Sequence, residues 1–212
     1  MTQTPAAADP RIPFFDRLAE TWDDAHPLDR MAGPLGTVVD TWDLRGDETV
    51  LDVGCGTGNL TAVLLTRLGA AGRVVALDLS SAMLRRARLK VADPRVAWLC
   101  GAADRTGLPN ASCDRAVCFS VWPHFADPAA VLKEFRRVLR PGGWVHVLHL
   151  VARETVNRIH GAACDEAVRR DLLPPVAETA AVFRGEGFEV LAAGEDDARY
   201  LLTARKAVII NQ

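Results

Sequence analysis

From Thr49 onward, short apolar runs alternate with amphipathic stretches. Thr49–Val53, Arg73–Asp78, Val96–Cys100, Arg115–Ser120 and Trp144–Leu150 have strand length and are bounded by Gly, Pro, Asp or Ser. Between them, Asn59–Leu68, Ser80–Val91 and Pro128–Leu139 carry apolar residues at helical intervals. Such alternation predicts an α/β sheet whose parallel strands are joined by right-handed crossovers. Upstream, Phe14, Phe15, Leu18, Trp22, Leu28, Met31, Val38, Val39 and Trp42 recur at near-helical spacing, which predicts two helices broken around His26-Pro27. Downstream, Arg140-Pro141-Gly142-Gly143 should end one helix and re-enter the sheet. A helix over Arg153–Arg170, another over Pro175–Glu186, and strands Phe188–Ala192 and Tyr200–Lys206 around a Gly194–Asp197 turn complete the pattern.

The first strand runs into Gly54-Cys55-Gly56-Thr57-Gly58-Asn59-Leu60, a glycine turn opening a helix. Glycines at alternate positions leave no Cβ to keep a ligand from the backbone amides. A dinucleotide fingerprint needs G-x-G-x-x-G and a P-loop needs a lysine after its last glycine. The G-x-G-x-G spacing here meets neither requirement, so nucleotide phosphate is not the expected ligand. The second strand ends in Asp78, 20 residues after Gly58, where a doubly wound sheet sets an acid against a ribose diol.

Composition narrows the class. A chain of 212 residues with 49% hydrophobic content holds one domain and an extension, and its net charge of -2 speaks against a strong nucleic-acid footprint. Lys90, Lys133 and Lys206 are the only lysines, so the basic clusters of helical segments are arginine-rich solvated faces. Five cysteines without C-x-x-C spacing, no apolar core of signal-peptide length in Met1–Pro13, and no membrane-length apolar run point to a reduced, cytoplasmic protein without a membrane span.

The motifs Leu51-Asp52-Val53-Gly54-Cys55-Gly56-Thr57-Gly58 and Val74-Val75-Ala76-Leu77-Asp78 closely resemble the first two motifs of the class I S-adenosylmethionine-dependent methyltransferases, and the resemblance runs from about Thr49 to Lys206. It implies a Rossmann-like, doubly wound, seven-stranded and mostly parallel sheet with an antiparallel C-terminal edge. It also divides the chain into a disordered start and helical cap over residues 1–48 and a cofactor domain over 49–212, with a helical insertion at about 153–171. S-adenosylmethionine is then the implied cofactor. Asp52 would organise the turn or reach the methionine amino group through a water, Gly54, Gly56 and Gly58 would admit the amino-acid end, and Asp78 would take the ribose. Met83 would cover the adenine or pack in the core. Asp104, in a Gly101-Ala102-Ala103-Asp104 clamp, would accept from the adenine amine unless Arg105 pairs with it, and Ser120 is counted among the cofactor contacts.

Enzymes of this superfamily that methylate amide or adenine nitrogens carry N-P-P-Y or D-P-P-Y after the fourth strand, and Phe119-Ser120-Val121-Trp122 lacks it. His124 and the segment Phe15–Asp23 instead resemble small-molecule methyltransferases of the quinone-biosynthesis type, with Trp22 in place of a tyrosine. His124 would orient or deprotonate the acceptor. Arg153, Asn157, His160 and Cys164 fall on one helical stripe, and His149 ends the fifth strand, so His149 and His160 join His124 as catalytic candidates while Trp22, Trp122, Arg153 and Asn157 are candidate acceptor contacts. A metal on His149, His160 and Cys164 has suitable ligand types but scattered spacing, and none is assigned. The leading expectation is a methyltransferase acting on a small molecule, compatible with a homodimer. A cofactor-sensing protein and a macromolecular methyltransferase are the alternatives.

Overall fold

The structure is a computed structural model that describes residues 9–207. Helices α1 (Ile12–Leu18), α2 (Trp22–Ala25) and α3 (Leu28–Val39) precede β1 (Thr49–Val53), α4 (Asn59–Leu65), β2 (Arg73–Asp78), α5 (Ser81–Lys90), β3 (Val96–Cys100) and β4 (Cys113–Phe119). Then follow α6 (Pro128–Val138), β5 (Leu139–His149), α7 (Arg153–Gly161), α8 (Glu166–Arg169), α9 (Val176–Gly185), β6 (Phe188–Glu195) and β7 (Tyr200–Lys206). Seven strands form one sheet in the order β3-β2-β1-β4-β5-β7-β6. β1 to β5 pair in parallel, and β7 lies antiparallel between β5 and β6, so β6 holds the outer position of the C-terminal hairpin.

Side chains alternate across the sheet as a doubly covered sheet requires. Val50, Val74, Ala76 and Val117 pack with Leu35, Leu60 and Leu64 under α3 and α4, whereas Leu51, Val53, Ala116 and Val147 pack with Phe135 and Phe183 under α6 and α9. The crossovers therefore change face at β1, and the crevice of an open α/β sheet belongs at the carboxyl ends of β1 and β4.

Three departures from the sequence pattern have local causes. The N-terminal region breaks twice: besides the break at His26-Pro27 the chain bends after Leu18, which seats Ala19 beside Ala82 and Met83 of α5. The stretch read as one helix over Arg153–Arg170 is two, because the Asp165 side chain accepts from Ala167 N and caps a new helix after Gly161. The Arg140–Gly143 segment lies within β5 as an irregularity in its pairing with β4. Gly142 has φ +73, and a Cβ on Gly143 would come within 3.0 Å of the Asp114 carbonyl oxygen. The expected disordered start lies largely outside the described residues, and Pro13 already occupies the first turn of α1.

At the opposite end of the strands a buried polar cluster ties the layers together. Arg115 donates from Nε to Glu48 Oε2 at 2.9 Å and from Nη2 to Glu48 Oε1 at 3.1 Å, and both side chains are almost fully buried. Arg115 Nη1 meets His146 Nε2 at 2.7 Å, and the imidazole stacks on Trp42 with ring centres 4.1 Å apart. Burial, then the Arg115 charge, pushes the His146 pKa well below its ordinary value.

Candidate active site

The glycine turn leaves β1 through three residues of positive φ, +67 at Gly54, +53 at Gly56 and +88 at Gly58. Gly54 N and Cys55 N both donate to Leu77 O, at 2.8 and 3.0 Å, which fastens the turn to β2. Each glycine answers a different demand. A Cβ on Gly54 would lie 2.4 Å from Val121, and one on Gly58 would lie 3.3 Å from Ala87, so those two serve packing. Around Gly56 the nearest atom would be Trp22 Nε1 at 3.9 Å, so this amide borders open space. Asp78 stands behind it, with Oδ2 accepting from Gly56 N and Oδ1 from Ser80 N, each at 2.8 Å. Burial raises the Asp78 pKa against the pull of those two amides. Asp52 accepts from Thr61 Oγ1 at 2.6 Å, and its burial pushes the carboxyl up to about 7.

One cavity of about 1320 Å³ runs from this turn across the carboxyl ends of β4 and β5 and is covered by α1, α2 and α7. Its volume exceeds the roughly 300–1,000 Å³ of a pocket for one small ligand. Its walls are mainly apolar, and its far end carries His124, His149 and His160. His124 Nδ1 lies 2.7 Å from Asp171 Oδ2, and Arg11 donates from Nε to Oδ2 at 2.7 Å and from Nη2 to Oδ1 at 2.8 Å. The His160 Nδ1 is hydrogen-bonded to the backbone carbonyl of Asp171, and its ring centre is 4.8 Å from that of His124. Burial opposes ionisation of Asp171, yet the hydrogen bonds from His124 and Arg11 outweigh it and hold the carboxyl below its ordinary range. Near the turn, Lys90 Nζ binds Asp23 at 2.7 Å and Asn59 Oδ1 at 2.8 Å, and Asn59 Nδ2 donates to His26 O, which pins α2 over the N-terminus of α4.

Of the residues singled out in the sequence, Asp52, Gly54, Gly56, Asp78, Met83, Asp104, Ser120, Trp22, His124, His149 and His160 line this one cavity. Met83 does so while packed against Ala19 and Ala82, so its two readings coincide. Asp104 is exposed and forms no salt bridge among the described residues, Arg105 included. Ser120 closes β4 with φ +54 and donates its amide to Leu148 O.

Four residues stand elsewhere. The Trp122–His124 turn is a 3₁₀ helix whose residues point in different directions, so His124 faces the cavity while Trp122 is buried against Phe125 and Phe183. Arg153 is drawn to Glu154 and Glu195 at the surface. Asn157 spends its amide on the Leu173 backbone, accepting from Leu173 N at 2.7 Å and donating to Leu173 O at 3.1 Å. Gly58 is occupied by packing, as above. Cys164 is exposed, and among the described residues no group of three His, Cys, Asp or Glu side chains is arranged to hold a metal. Arg11 and Asp171 carried no periodic or motif signal, because their pairing joins residues 160 positions apart.

His149 is almost fully buried, and its Nε2 finds no hydrogen-bond partner among the described residues. Burial, with His124 and His160 nearby, pushes its pKa down to about 3. The unfolded chain, near 6.5, therefore binds a proton that the folded chain refuses between those values, and stability falls as pH drops through that window by up to about 1.4 kcal/mol per unit. Asp52 acts in the opposite sense, because its folded pKa of about 7 exceeds the ordinary 3.8 and stability from it is lost as pH rises between the two. Comparison with a His149→Leu variant cancels the Asp52 contribution. The variant is expected to be more stable at neutral pH by about 1–3 kcal/mol, since an unpaired buried polar atom is removed, and to show a shallower acid decline in thermal melts. An acid decline identical to that of the parent would show that His149 is hydrated.

Residues 51–147 match the family described as a methyltransferase domain. Trans-aconitate 2-methyltransferase of Azoarcus sp. (strain BH72) is 39% identical over 127 residues, covering 58% of this chain and 48% of that protein. A ubiquinone biosynthesis O-methyltransferase of Hydrogenovibrio crunogenus is 27% identical over 244 residues, covering 95% of both chains. The chain spans about half the length of the first curated relatives it matches. Among solved structures, a chain in the complex of the Haloferax volcanii Trm112 methyltransferase activator with a methyltransferase superposes with a TM-score of 0.76 at 22% identity, covering 91% of this chain and 97% of that one. With the glycine turn, the acid at the end of β2 and the β3-β2-β1-β4-β5-β7-β6 sheet in place, residues 51–147 of this chain form a methyltransferase domain, similar to those of the class I S-adenosylmethionine-dependent methyltransferases.

Proposed function

We propose that the protein transfers a methyl group from S-adenosylmethionine to a small-molecule acceptor. The observation that carries this reading is the single cavity that joins the open glycine turn to the histidine end and is large enough for two ligands. The residues present fit the cofactor. Gly56 offers a backbone edge with no Cβ, and the Asp78 carboxylate, though it holds two amides, keeps lone pairs for a diol. Met83 and Asp104 border the same end and suit the adenine ring and its amine. Asp52, held by Thr61, borders the inner side of the turn, where the amino-acid end would lie.

When bound, the cofactor supplies a sulfonium-activated methyl group, so the work left to the chain is alignment and exclusion of water. Phe15, Leu18 and Trp22 close the cavity from above, and Val121, Phe125 and Ile159 continue its apolar wall towards the histidines. Such a mainly apolar volume suits a small acceptor better than a nucleic acid. The net charge of -2 agrees with that. Among the described residues no helix is long and apolar enough to cross a membrane.

Calorimetry with S-adenosylmethionine, S-adenosylhomocysteine and NAD tests the reading, with binding expected for the two sulfur nucleosides alone. Asp78→Asn retains the side chain's shape but removes the charge and turns one of the two acceptor oxygens into a donor. Affinity should fall by about 2–3 kcal/mol, or roughly 30- to 150-fold. Tight NAD binding, or an unchanged affinity in the variant, would sink the assignment of Asp78.

A further inference from the structure

The far end of the cavity fixes what kind of acceptor it takes. The Asp171 carboxylate has hydrogen-bond acceptors only, so the His124 nitrogen facing Oδ2 at 2.7 Å, Nδ1, must carry the proton. The Asp171 backbone carbonyl is likewise an acceptor, so Nδ1 of His160 carries its proton too. In the neutral rings Nε2 is then the bare nitrogen, and neither Nε2 makes a hydrogen bond among the described residues. Arg11, whose guanidinium lines the cavity, is committed to Asp171 and Asp9. Asp171, with Arg11, thus sets two imidazoles side by side so that each offers a lone pair; among the described residues the cavity's other basic side chain besides Arg11 is Arg105, in the 101–105 segment after β3. Facing His124 are Asp171, Arg11, His160, His149 and, towards the turn, Asp78.

Resting on the methyltransferase reading, we infer that Asp171 is a positioning residue that holds His124 as proton acceptor, and that the methyl acceptor carries its own proton, as a hydroxyl or amine, rather than being a carboxylate. A carboxylate would meet two lone pairs and gain nothing, whereas an X–H group donates to one. In the reaction the acceptor proton passes to His124 Nε2. The electron pair left on the acceptor atom forms the new bond to the methyl carbon, the pair of the broken carbon–sulfur bond stays on sulfur, and the positive charge of the sulfonium reappears on the imidazole. Arg11 and Asp171 both lie outside the family-matched residues 51–147, so this arrangement belongs to the cap and insertion of this chain.

The first test needs no acceptor. Nitrogen-15 NMR of the five histidines should show His124 and His160 with hydrogen on Nδ1 and bare Nε2, and Asp171→Asn should shift His124 towards the opposite tautomer, because the amide can donate to Nδ1. His160, bonded to the backbone, should keep its form. An Nε2–H tautomer for His124 in the parent protein, or no change in the variant, overturns the positioning role.

The second test compares catechol, benzylamine and benzoate as acceptors, with nitrocatechol as a hydroxyl already ionised in weakly alkaline solution. Catechol or benzylamine should be methylated and benzoate not, and which of the two responds identifies the acceptor atom. Asp171→Asn should lower kcat on the responding probe by about 10²- to 10⁴-fold with little change in KM. With nitrocatechol, where no proton need leave, the loss should shrink below tenfold. Equal losses on catechol and nitrocatechol, methylation of benzoate in preference, or no methylation of catechol and benzylamine overturns the inference. Calorimetry on the parent protein separates the two levels: absent S-adenosylmethionine binding would remove the methyltransferase reading itself.

Discussion

Glu48→Ala is expected to destabilise the protein by about 3–5 kcal/mol, because it leaves Arg115 charged and buried with His146 as its remaining side-chain hydrogen-bond partner among the described residues. The guanidinium cannot escape by losing its proton, and its side chain is 2% exposed, so water cannot replace the carboxylate. Equilibrium urea unfolding should show a lower midpoint with an unchanged slope. The double variant Glu48→Leu/Arg115→Met, which removes both charges and keeps the volume filled, should recover most of the loss. That recovery separates the cost of an orphaned charge from any net contribution of the pair. A loss under about 1 kcal/mol for Glu48→Ala would show that the cluster is hydrated.

Gly56→Val should reduce S-adenosylmethionine affinity by more than about a hundredfold, since a branched side chain then projects into the space that the cofactor must use. The substitution also forces a β-branched residue to φ +53, which costs about 1–3 kcal/mol of folding stability. Gly107→Val controls for that strain. It sits at φ +72 with nothing within 4 Å of an added Cβ, and it does not line the cavity. Both variants should lose similar stability in ligand-free melts, and only Gly56→Val should lose binding by calorimetry. Equal binding by both would place the ligand away from the turn.

The middle of the sheet was legible because β1 and β4 are buried along most of their length. Thr49–Val53, Arg73–Asp78 and Val96–Cys100 are short, mainly apolar runs set off by Gly54, Gly72, Pro94 and Gly101, and the structure keeps those limits. The glycine-turn end of the cavity was legible because it is built from a contiguous turn and the acid after the next strand. The histidine end was legible only in part. His124, His149 and His160 were visible as single residues, but the carboxylate that orients His124 comes from a segment whose place is set by tertiary contacts, among them Asn157 with Leu173 and Arg17 with Asp165. Trp122 misled because it shares a turn with His124, and only the tightness of that turn decides which of the two faces inward to the core. Asn157 misled because helical periodicity gives a face but not its neighbour.

The last strand in the described residues is not the strand that lies outermost. β7 slots between β5 and β6 and pairs with β5 from Trp144↔Arg205 to His149↔Tyr200, with the Tyr200 side chain fully buried. Until β7 pairs, the parallel core from β3 to β5 can therefore be complete while one flank of β5 still shows a row of unsatisfied amides and carbonyls. An open flank of that kind invites pairing with a strand of another nascent chain.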